Sequence, residues 1–493
     1  MFFGRALLAI VISATFWSCA NPVETQAPPN VVVILADDMG IGDVGAYNAE
    51  SKIATPNLDA FAAGGMRFTD AHSPSAVCTP TRYGILTGRY SWRTRLKEGV
   101  LWGEDVNLID VERVTVADMM RDAGYATGAF GKWHLGLGAP AEGQDPVEAK
   151  TNWNAPLAPG PLEHGFDEFF GIPASLDMEP YLYVRDRAPE QQPTEHVEAS
   201  ERARNGGAGF WRAGPIAPDF HHRDVLGRIV DEATSFIERR AAATDGKPFF
   251  LYLPLTAPHT PWMPSEEFRG RSGAGPYGDF VAMGDDRVGQ VLSVLEEQGF
   301  ADNTLVIFAS DNGANWIPEE IVQYQHRSNG PWRGQKADIH EGGHRIPFMV
   351  RWPGHIEPGT VRDQLLCLTD VEASLAGVLG VQLPHDAAED SFDQSPVWLG
   401  NSAAAPRRAI VNHSSLGLFS IRQDNWKLVL GLGSGGFTPP ATAEPVPGGP
   451  EGQLYDLTAD PGETTNLYSD NLDKVQELTA LLERYKSEGR SRP

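Results

Sequence analysis

The sequence predicts an α/β protein with a mostly parallel central sheet flanked by helices, followed by a smaller C-terminal α+β unit with a short antiparallel sheet. Three observations predict it. Four runs without a charged residue, at 30–36, 126–130, 249–255 and 304–309, are mostly apolar, the first a continuous β-branched stretch. That is the pattern of strands covered on both faces. Helical patterns lie between and after them, at 57–64, 116–123, 225–241 and 283–297, and alternating strands and helices favour a parallel sheet. Beyond about residue 384, short runs at 409–413, 416–422, 426–430 and 453–456 read as antiparallel strands. One apolar helical stripe follows them, formed by Val475, Leu478, Leu481, Leu482 and Tyr485.

The segments divide the chain in order. Residues 1–19 carry Arg5, an apolar run and Ser18-Cys19, a secretory signal too short to remain as a membrane span. Cys19 after a small residue suggests a bacterial lipoprotein site. The expected product is exported: periplasmic, tethered to the outer membrane, or secreted. Its membrane contact is limited to a lipid anchor at Cys19. Residues 20–29 form a linker, 30–395 the large domain and 396–493 the C-terminal unit. Two irregular stretches, 139–161 and 206–218, are long enough to be functional loops.

Composition narrows the chemistry. At 493 residues and 41% hydrophobic, the chain suits a two-domain globular protein. A net charge of −25 excludes nucleic acid and basic-patch membrane binding. It leaves room for a local anion site, because repulsion is screened within about 10 Å at 0.1 M salt. With only Cys19, Cys78 and Cys367 present, a disulfide framework is not expected in an exported chain.

Sites in open α/β sheets form beyond the carboxyl ends of strands. The four predicted strands run into Asp37-Asp38, into Lys132 and His134, into His259, and into Asp311-Asn312. The first and last pairs offer only oxygen donors, which suit Ca²⁺ or Mg²⁺ better than zinc. Arg82, Lys132, His134, His259 and Lys336 are the basic groups a tetrahedral oxyanion needs. Pro80 fits the first turn of a helix, so Cys78 stands at a helix N-terminus, where free N–H groups favour an anion. Arg82, four residues on, shares its face.

Cys78-Thr79-Pro80-Thr81-Arg82, followed by Tyr83-Gly84-Ile85-Leu86-Thr87-Gly88, resembles the formylglycine signature of type I sulfatases. The likeness continues through NVVVILADDMGIGDVG, TPNLDAFAAGGMRFTDAH, GYATGAFGKWHLG, APHTP, FASDNG, SNGPWRGQKADIHEGGHRIPF and LYDLTADPGETTNL, in order from about Pro29 to Leu467. It implies an alkaline-phosphatase-like large domain at 30–395 and oxidation of Cys78 to an aldehyde by a maturation enzyme. It also implies a divalent cation, usually Ca²⁺ with Mg²⁺ as the alternative, on Asp37, Asp38, Asp311, Asn312 and modified Cys78. Arg82 would brace the formylglycine, Lys132 and His134 would contact its hydroxyls, and His259 and Lys336 would meet the sulfate and leaving oxygen. Ser175 matches a serine lining such sites, a turn residue being its other reading, and His344 receives no role.

The segments SWRTRLKEGVLWG and GIPASLDMEPYLYV resemble bacterial polysaccharide sulfatases. Arg93 and Arg95, with Trp92 and Lys97, follow the signature and are expected at a pocket rim, where arginine pairs well with carboxylate or sulfate, their alternative being a solvated basic face. Asp177 and the pair Arg185-Asp186 are candidates for sugar hydroxyls. The substrate implied is a sulfated carbohydrate, with 6-O-sulfated galactose or N-acetylgalactosamine first. The alternatives are a phosphomonoester or phosphonate hydrolase of the same superfamily and a non-catalytic binder of sulfated glycans.

Overall fold

A ten-stranded sheet forms the centre of the molecule. The computed structural model describes residue 1 and residues 27–200 and 210–493. Residues 2–26, which include the predicted signal segment from its second residue, Cys19 and most of the predicted linker, and residues 206–209 of the second long loop lie outside the described residues. In spatial order the sheet runs Thr360–Arg362, Met66–Phe68, Phe348–Arg351, Thr304–Ser310, Asn30–Ala36, Phe249–Pro254, Ala126–Lys132 and Glu168–Ile172, then the short pair Val184–Arg185 and Ala188–Pro189. The five strands from Thr304–Ser310 to Glu168–Ile172 are mutually parallel. The register aligns Ala36 with Ser310 and Leu35 with Pro254. Asp37, Asp311 and the turn after Pro254 therefore leave the sheet at one edge.

Burial explains the sequence of these strands. Val31, Val32, Ile34 and Leu35 are wholly buried, as are Phe249 to Leu251 and Ile307 to Ala309. Each such aliphatic or aromatic side chain contributes about 1.5–3 kcal/mol by leaving water. The helices Pro56–Ala63, Val225–Ala242 and Gly275–Glu297 pack together along the sheet, and Cys78–Thr87, Val116–Asp122 and Val371–Leu379 form a second group.

Several boundaries differ from the sequence reading. The predicted helix at 283–297 begins eight residues earlier, at Gly275. Gly275, Gly278 and Gly284 weaken its propensity, yet Tyr277, Phe280 and Val281 still place a buried stripe there. The strand expected at 416–422 is Phe419–Gln423, because residues 414–418 turn back with Ser414 N–H on the Leu418 carbonyl and Gly417 at φ +75°. Glu168–Ile172 was not anticipated, its five residues being too short and glycine-containing to stand out.

The C-terminal sheet is antiparallel, in the order Ala409–His413, Phe419–Gln423, Trp426–Val429, Gln453–Asp456. The helix Leu472–Ser487 buries Val475, Leu478, Leu482 and Tyr485 against it, together with Tyr90 and Trp92 from the large domain. Cys78 and Cys367 are both free and buried. Among the described residues, no helix is long and apolar enough to cross a membrane.

Candidate active site

The carboxyl edge of the parallel strands gathers the predicted groups into one buried cluster. Asp37 and Asp38 follow the strand Asn30–Ala36, and Asp311 and Asn312 follow Thr304–Ser310. The Asp38 N–H donates to Asp311 Oδ1 (3.1 Å), tying the two strand ends together. Asp43 fixes the next turn by accepting from Gly40 N–H (2.8 Å), the Ser328 hydroxyl (2.6 Å) and the Tyr277 hydroxyl (2.5 Å). Asp38 and His134 both have positive φ, +68° and +56°. Such strain in non-glycine residues concentrates where side chains must be aimed.

Cys78 opens the helix Cys78–Thr87 and is buried. Arg82, one turn on, is fully buried and uses its whole fork. Nε and Nη2 donate to Asp311 Oδ2 (3.1 and 2.8 Å), and Nη1 donates to the Lys132 carbonyl (2.8 Å). Lys132 Nζ donates to Asp37 Oδ2 at 2.7 Å, and Lys336 Nζ lies 2.8 Å from the Asp38 carboxylate. His259 Nε2 is 3.7 Å from Asp38 Oδ2, while its Nδ1 is held by the Thr260 carbonyl at 2.6 Å. His134 Nε2 donates to the Leu101 carbonyl at 2.7 Å. That bond leaves Nδ1 as the unprotonated nitrogen of a neutral ring, and this atom is buried without a partner.

Electrostatics follow from this packing. Burial opposes ionisation of Asp37, but Lys132, His259 and Arg82 outweigh it and hold the carboxyl below its usual range. Burial and the charge on Asp37 push Asp311 up to about 7. Burial and Lys336 work against charge on His259, yet Asp38 and Asp37 raise its pKa. Burial, then Lys132 and Arg82, drive His134 well below the ordinary imidazole value.

The cluster has the chemistry of a divalent-cation cradle. Ligand atoms of Asp37, Asp38, Cys78 and His259 lie within 4.8 Å of one another. Asp37 Oδ1 and Asn312 Oδ1 are buried with no hydrogen-bond partner. Arg82 Nη2 comes no nearer to Asp37 Oδ1 than 3.5 Å, and leaving two such oxygens without a hydrogen bond is costly unless a further group binds them. Asn312 Nδ2 donates to Asp38 Oδ1 (2.7 Å), so its amide oxygen is the free end.

The sequence comparisons agree with this geometry. The Sulfatase family model matches residues 29–381. The chain belongs to the sulfatase family. The sulfatase is 34% identical over 507 residues to an N-acetylgalactosamine-6-O-sulfatase of Bacteroides thetaiotaomicron, covering 94% of each chain. It is 34% identical to arylsulfatase A of Homo sapiens, covering 91% of this chain and 85% of that one. A solved structure described under the metabolism of multiple glycosaminoglycans by Bacteroides thetaiotaomicron superposes with a TM-score of 0.79 at 32% identity, covering 93% and 99% of the two chains.

Not every residue named from the sequence of the sulfatase joins the cluster. Ser175 and Asp177 are buried on a loop beside it, with Ser175 Oγ unpartnered and Asp177 Oδ1 3.9 Å from His259 Nδ1. Arg93 is elsewhere: its guanidinium binds both oxygens of Asp390 (2.8 Å each) and the Tyr485 carbonyl (2.9 Å), bracing the C-terminal helix. Arg95 Nη2 donates to the Val106 carbonyl (2.7 Å), and Lys97 Nζ to the Trp92 carbonyl (2.7 Å). Trp92 is buried against Tyr90 and Phe419. Arg185 pairs with Glu190 and Glu232. Arg93 is therefore a fastening to the C-terminal helix rather than a rim residue, because Asp390 and the Tyr485 carbonyl take its donors, while Arg95 and Lys97 are each tied to a local backbone carbonyl.

The sequence reading missed the backbone carbonyl of Leu101, which has no side-chain signal. It also missed Arg212, which bonds Asp177 at 2.6 Å from within the second long loop. A second set of potential ligands, His72, Glu341 and His344, is already filled by cations. Lys427 Nζ reaches Glu341 (3.1 Å), Glu463 (2.9 Å) and His344 Nε2 (3.1 Å), and Arg345 reaches Glu341 and Asp70. Burial keeps His72 and His344 below their ordinary pKa. This network is a closed ionic joint, which gives His344 a structural place.

Proposed function

We propose that this sulfatase removes the 6-O-sulfate of N-acetylgalactosamine or galactose units in a sulfated glycan, using a formylglycine derived from Cys78 and a divalent cation, Ca²⁺ in the first instance. The observation that carries the chemistry is the gathering of Asp37, Asp38 and Cys78 ligand atoms within 4.8 Å, beside two buried oxygens that accept no hydrogen bond, Asp37 Oδ1 and Asn312 Oδ1. Near full-length similarity to an N-acetylgalactosamine-6-O-sulfatase supports the sugar.

When bound, the cation and the aldehyde hydrate supply Lewis acidity and a paired-hydroxyl nucleophile. The residues do the rest. Asp37, Asp38, Asp311 and Asn312 are the residues that would hold the cation through oxygen. Arg82 keeps Asp311 and the Lys132 carbonyl in place. Lys132 and Lys336 offset charge developing on sulfate oxygens, and they act strongly because they are already oriented and desolvated. His259, with Nδ1 fixed on Thr260, keeps Nε2 available to protonate the leaving alcohol. His134 offers Nδ1 as a base, its tautomer set by Leu101. Ser175 and Asp177 line the approach. The reading also has the protein exported, after a maturation enzyme has oxidised Cys78.

The test uses protein made in a host able to form formylglycine. Sulfate release is expected from N-acetylgalactosamine 6-sulfate or galactose 6-sulfate, in preference to the 4-sulfates and to aryl phosphate. The tryptic peptide of Cys78 is expected about 18 Da below its thiol form. Faster phosphate than sulfate release, or full activity with an intact thiol, overturns the reading.

A further inference from the structure

The loops beside the buried cluster bring Arg212 together with Trp102, Phe210 and Asp177. Leu101, which holds His134, also donates its N–H to the Thr79 hydroxyl (3.2 Å). Trp102, the next residue, is thereby fixed beside the nucleophile helix, although its side chain is 44% exposed. Phe210, 42% exposed, is anchored through its N–H to Thr260 Oγ1 (3.2 Å), the residue after His259. The Arg212 guanidinium lies over both rings, 4.8 Å from the Trp102 centroid and 4.9 Å from that of Phe210.

Arg212 is held but not used up. Nη1 donates to the Asp177 carboxylate (2.6 Å) and carbonyl (3.1 Å). Its backbone is locked by Tyr181, whose hydroxyl accepts from the Arg212 N–H (3.1 Å) and donates to its carbonyl (2.8 Å). Nε and Nη2 make no hydrogen bond among the described residues, and 34% of the side chain is exposed. Arg82, Lys132 and Lys336 have donors committed to Asp311, Asp37 and Asp38. Phe210, the ring under the arginine, also walls a cavity of about 150 Å³ that touches Asp38, Trp262 and Asn315.

A guanidinium stacked on aromatic rings, tied along one edge and free along the other, has already lost its rotamer freedom. Its free edge offers parallel N–H groups that match an oxyanion. We propose that Arg212, held flat by Trp102 and Phe210, binds a second anionic group of the glycan beside the ester under attack: a uronate carboxylate on the neighbouring sugar or another sulfate. The inference rests on the carbohydrate-sulfatase reading and adds a charge requirement to it.

The test compares kcat/KM of the aldehyde-bearing wild type and Arg212→Gln on four substrate types. These are N-acetylgalactosamine 6-sulfate, its disaccharides with a uronate on either side, the same disaccharides with the carboxylate reduced to an alcohol, and the 4,6-disulfated monosaccharide. Wild type is expected to favour at least one doubly anionic substrate about tenfold over the monosulfated sugar, and Arg212→Gln to bring that ratio within twofold of one. Loss of the advantage on carboxyl reduction assigns the carboxylate, whereas an advantage confined to the disulfate assigns the second sulfate. Phe210→Ala, which keeps the Asp177 pair, is expected to lower the same ratio and serves if Arg212→Gln does not fold. No wild-type preference for a second anion, or an equal loss on every substrate in the variants, overturns the proposal. Failure of wild type to release sulfate from any of these sugars overturns the sugar reading itself.

Discussion

Replacing Arg82 with methionine should destabilise the protein more than replacing it with lysine, by an amount set by three hydrogen bonds and one charge. Arg82 places two N–H groups on Asp311 and one on the Lys132 carbonyl, with no part of the side chain exposed. Lysine keeps a positive charge near Asp311 but cannot span to Lys132, so one buried carbonyl loses its donor, at about 1–3 kcal/mol. Methionine leaves buried carboxylates without their cation, at about 3–5 kcal/mol. A chain of this length has an unfolding entropy of about 1 kcal/mol per kelvin, so the expected falls in Tm are about 1–3 °C and about 3–5 °C.

The gap should widen with pH. Asp311 is raised to about 7 in the wild type by burial and by Asp37, and losing Arg82 raises it further. At pH 6 both proteins carry the proton, so this part of the penalty vanishes. At pH 8 the lysine variant, which keeps a cation beside Asp311, has released more of it than the methionine variant, which adds up to about 1.4 kcal/mol per unit of extra shift. Calorimetry of the metal-free proteins at pH 6 and 8 measures both effects. If Arg82→Met melts within about 1 °C of Arg82→Lys at pH 8, the charge argument is wrong.

Three further predictions are independent of Arg82. Cys78→Ser should complete at most one turnover and retain a covalent sulfate, visible by mass spectrometry; repeated turnover by the serine protein excludes the paired-hydroxyl mechanism. Lys427→Met should cost about 3–5 kcal/mol, because Glu341 and Glu463 are fully buried and lose their shared cation; a variant as stable as wild type in denaturant shows that the joint is dispensable. Burial lowers His413 to about 4, so its stabilising contribution is complete above the unfolded value of about 6.5 and is lost as pH falls towards 4. Between pH 7 and 5 that loss is about 2 kcal/mol. His413→Gln escapes it, so the stability difference between wild type and variant should shift by that amount in the variant's favour. An unchanged difference refutes the assignment.

The parts of the site legible in the sequence are those that strand ends impose. A wholly apolar strand must stop where the chain leaves the sheet, so Asp37-Asp38 and Asp311-Asn312 announced themselves as edge groups. The tie between Asp38 N–H and Asp311 Oδ1 is the structural form of that spacing. Cys78 and Arg82 were legible because a helix start and a four-residue interval are local rules. Arg93 and Arg95 show where local rules fail. Their exposure depends on Asp390, Tyr485 and Val106, and no pattern around residues 92–97 encodes the distance to the C-terminal helix. Arg212 was hidden for the same reason: its value comes from Trp102, Asp177 and Phe210, brought together only by tertiary packing.

The same packing makes the C-terminal sheet part of the active-site scaffold. The loop before Cys78 is held by the strand Ala409–His413: Asn412 Nδ2 donates to the Ser73 carbonyl (2.6 Å), and the His413 carbonyl accepts from Ala76 N–H and the Ser75 hydroxyl (3.1 Å each). Ala337 N–H, next to Lys336, donates to the Ala76 carbonyl (2.8 Å) and its carbonyl accepts from Ser415 N–H (3.0 Å), so the strand and the turn after it hold both the loop before Cys78 and the residue beside Lys336. Asn412→Ala removes a buried donor and should cost about 1–3 kcal/mol. If the strand sets the aim of Cys78, kcat on a small aryl sulfate should fall with it even well below Tm, because the attacking atom loses its fixed approach. Wild-type kcat at 25 °C in a variant with lowered Tm refutes the positioning argument and leaves the sheet a purely stabilising role.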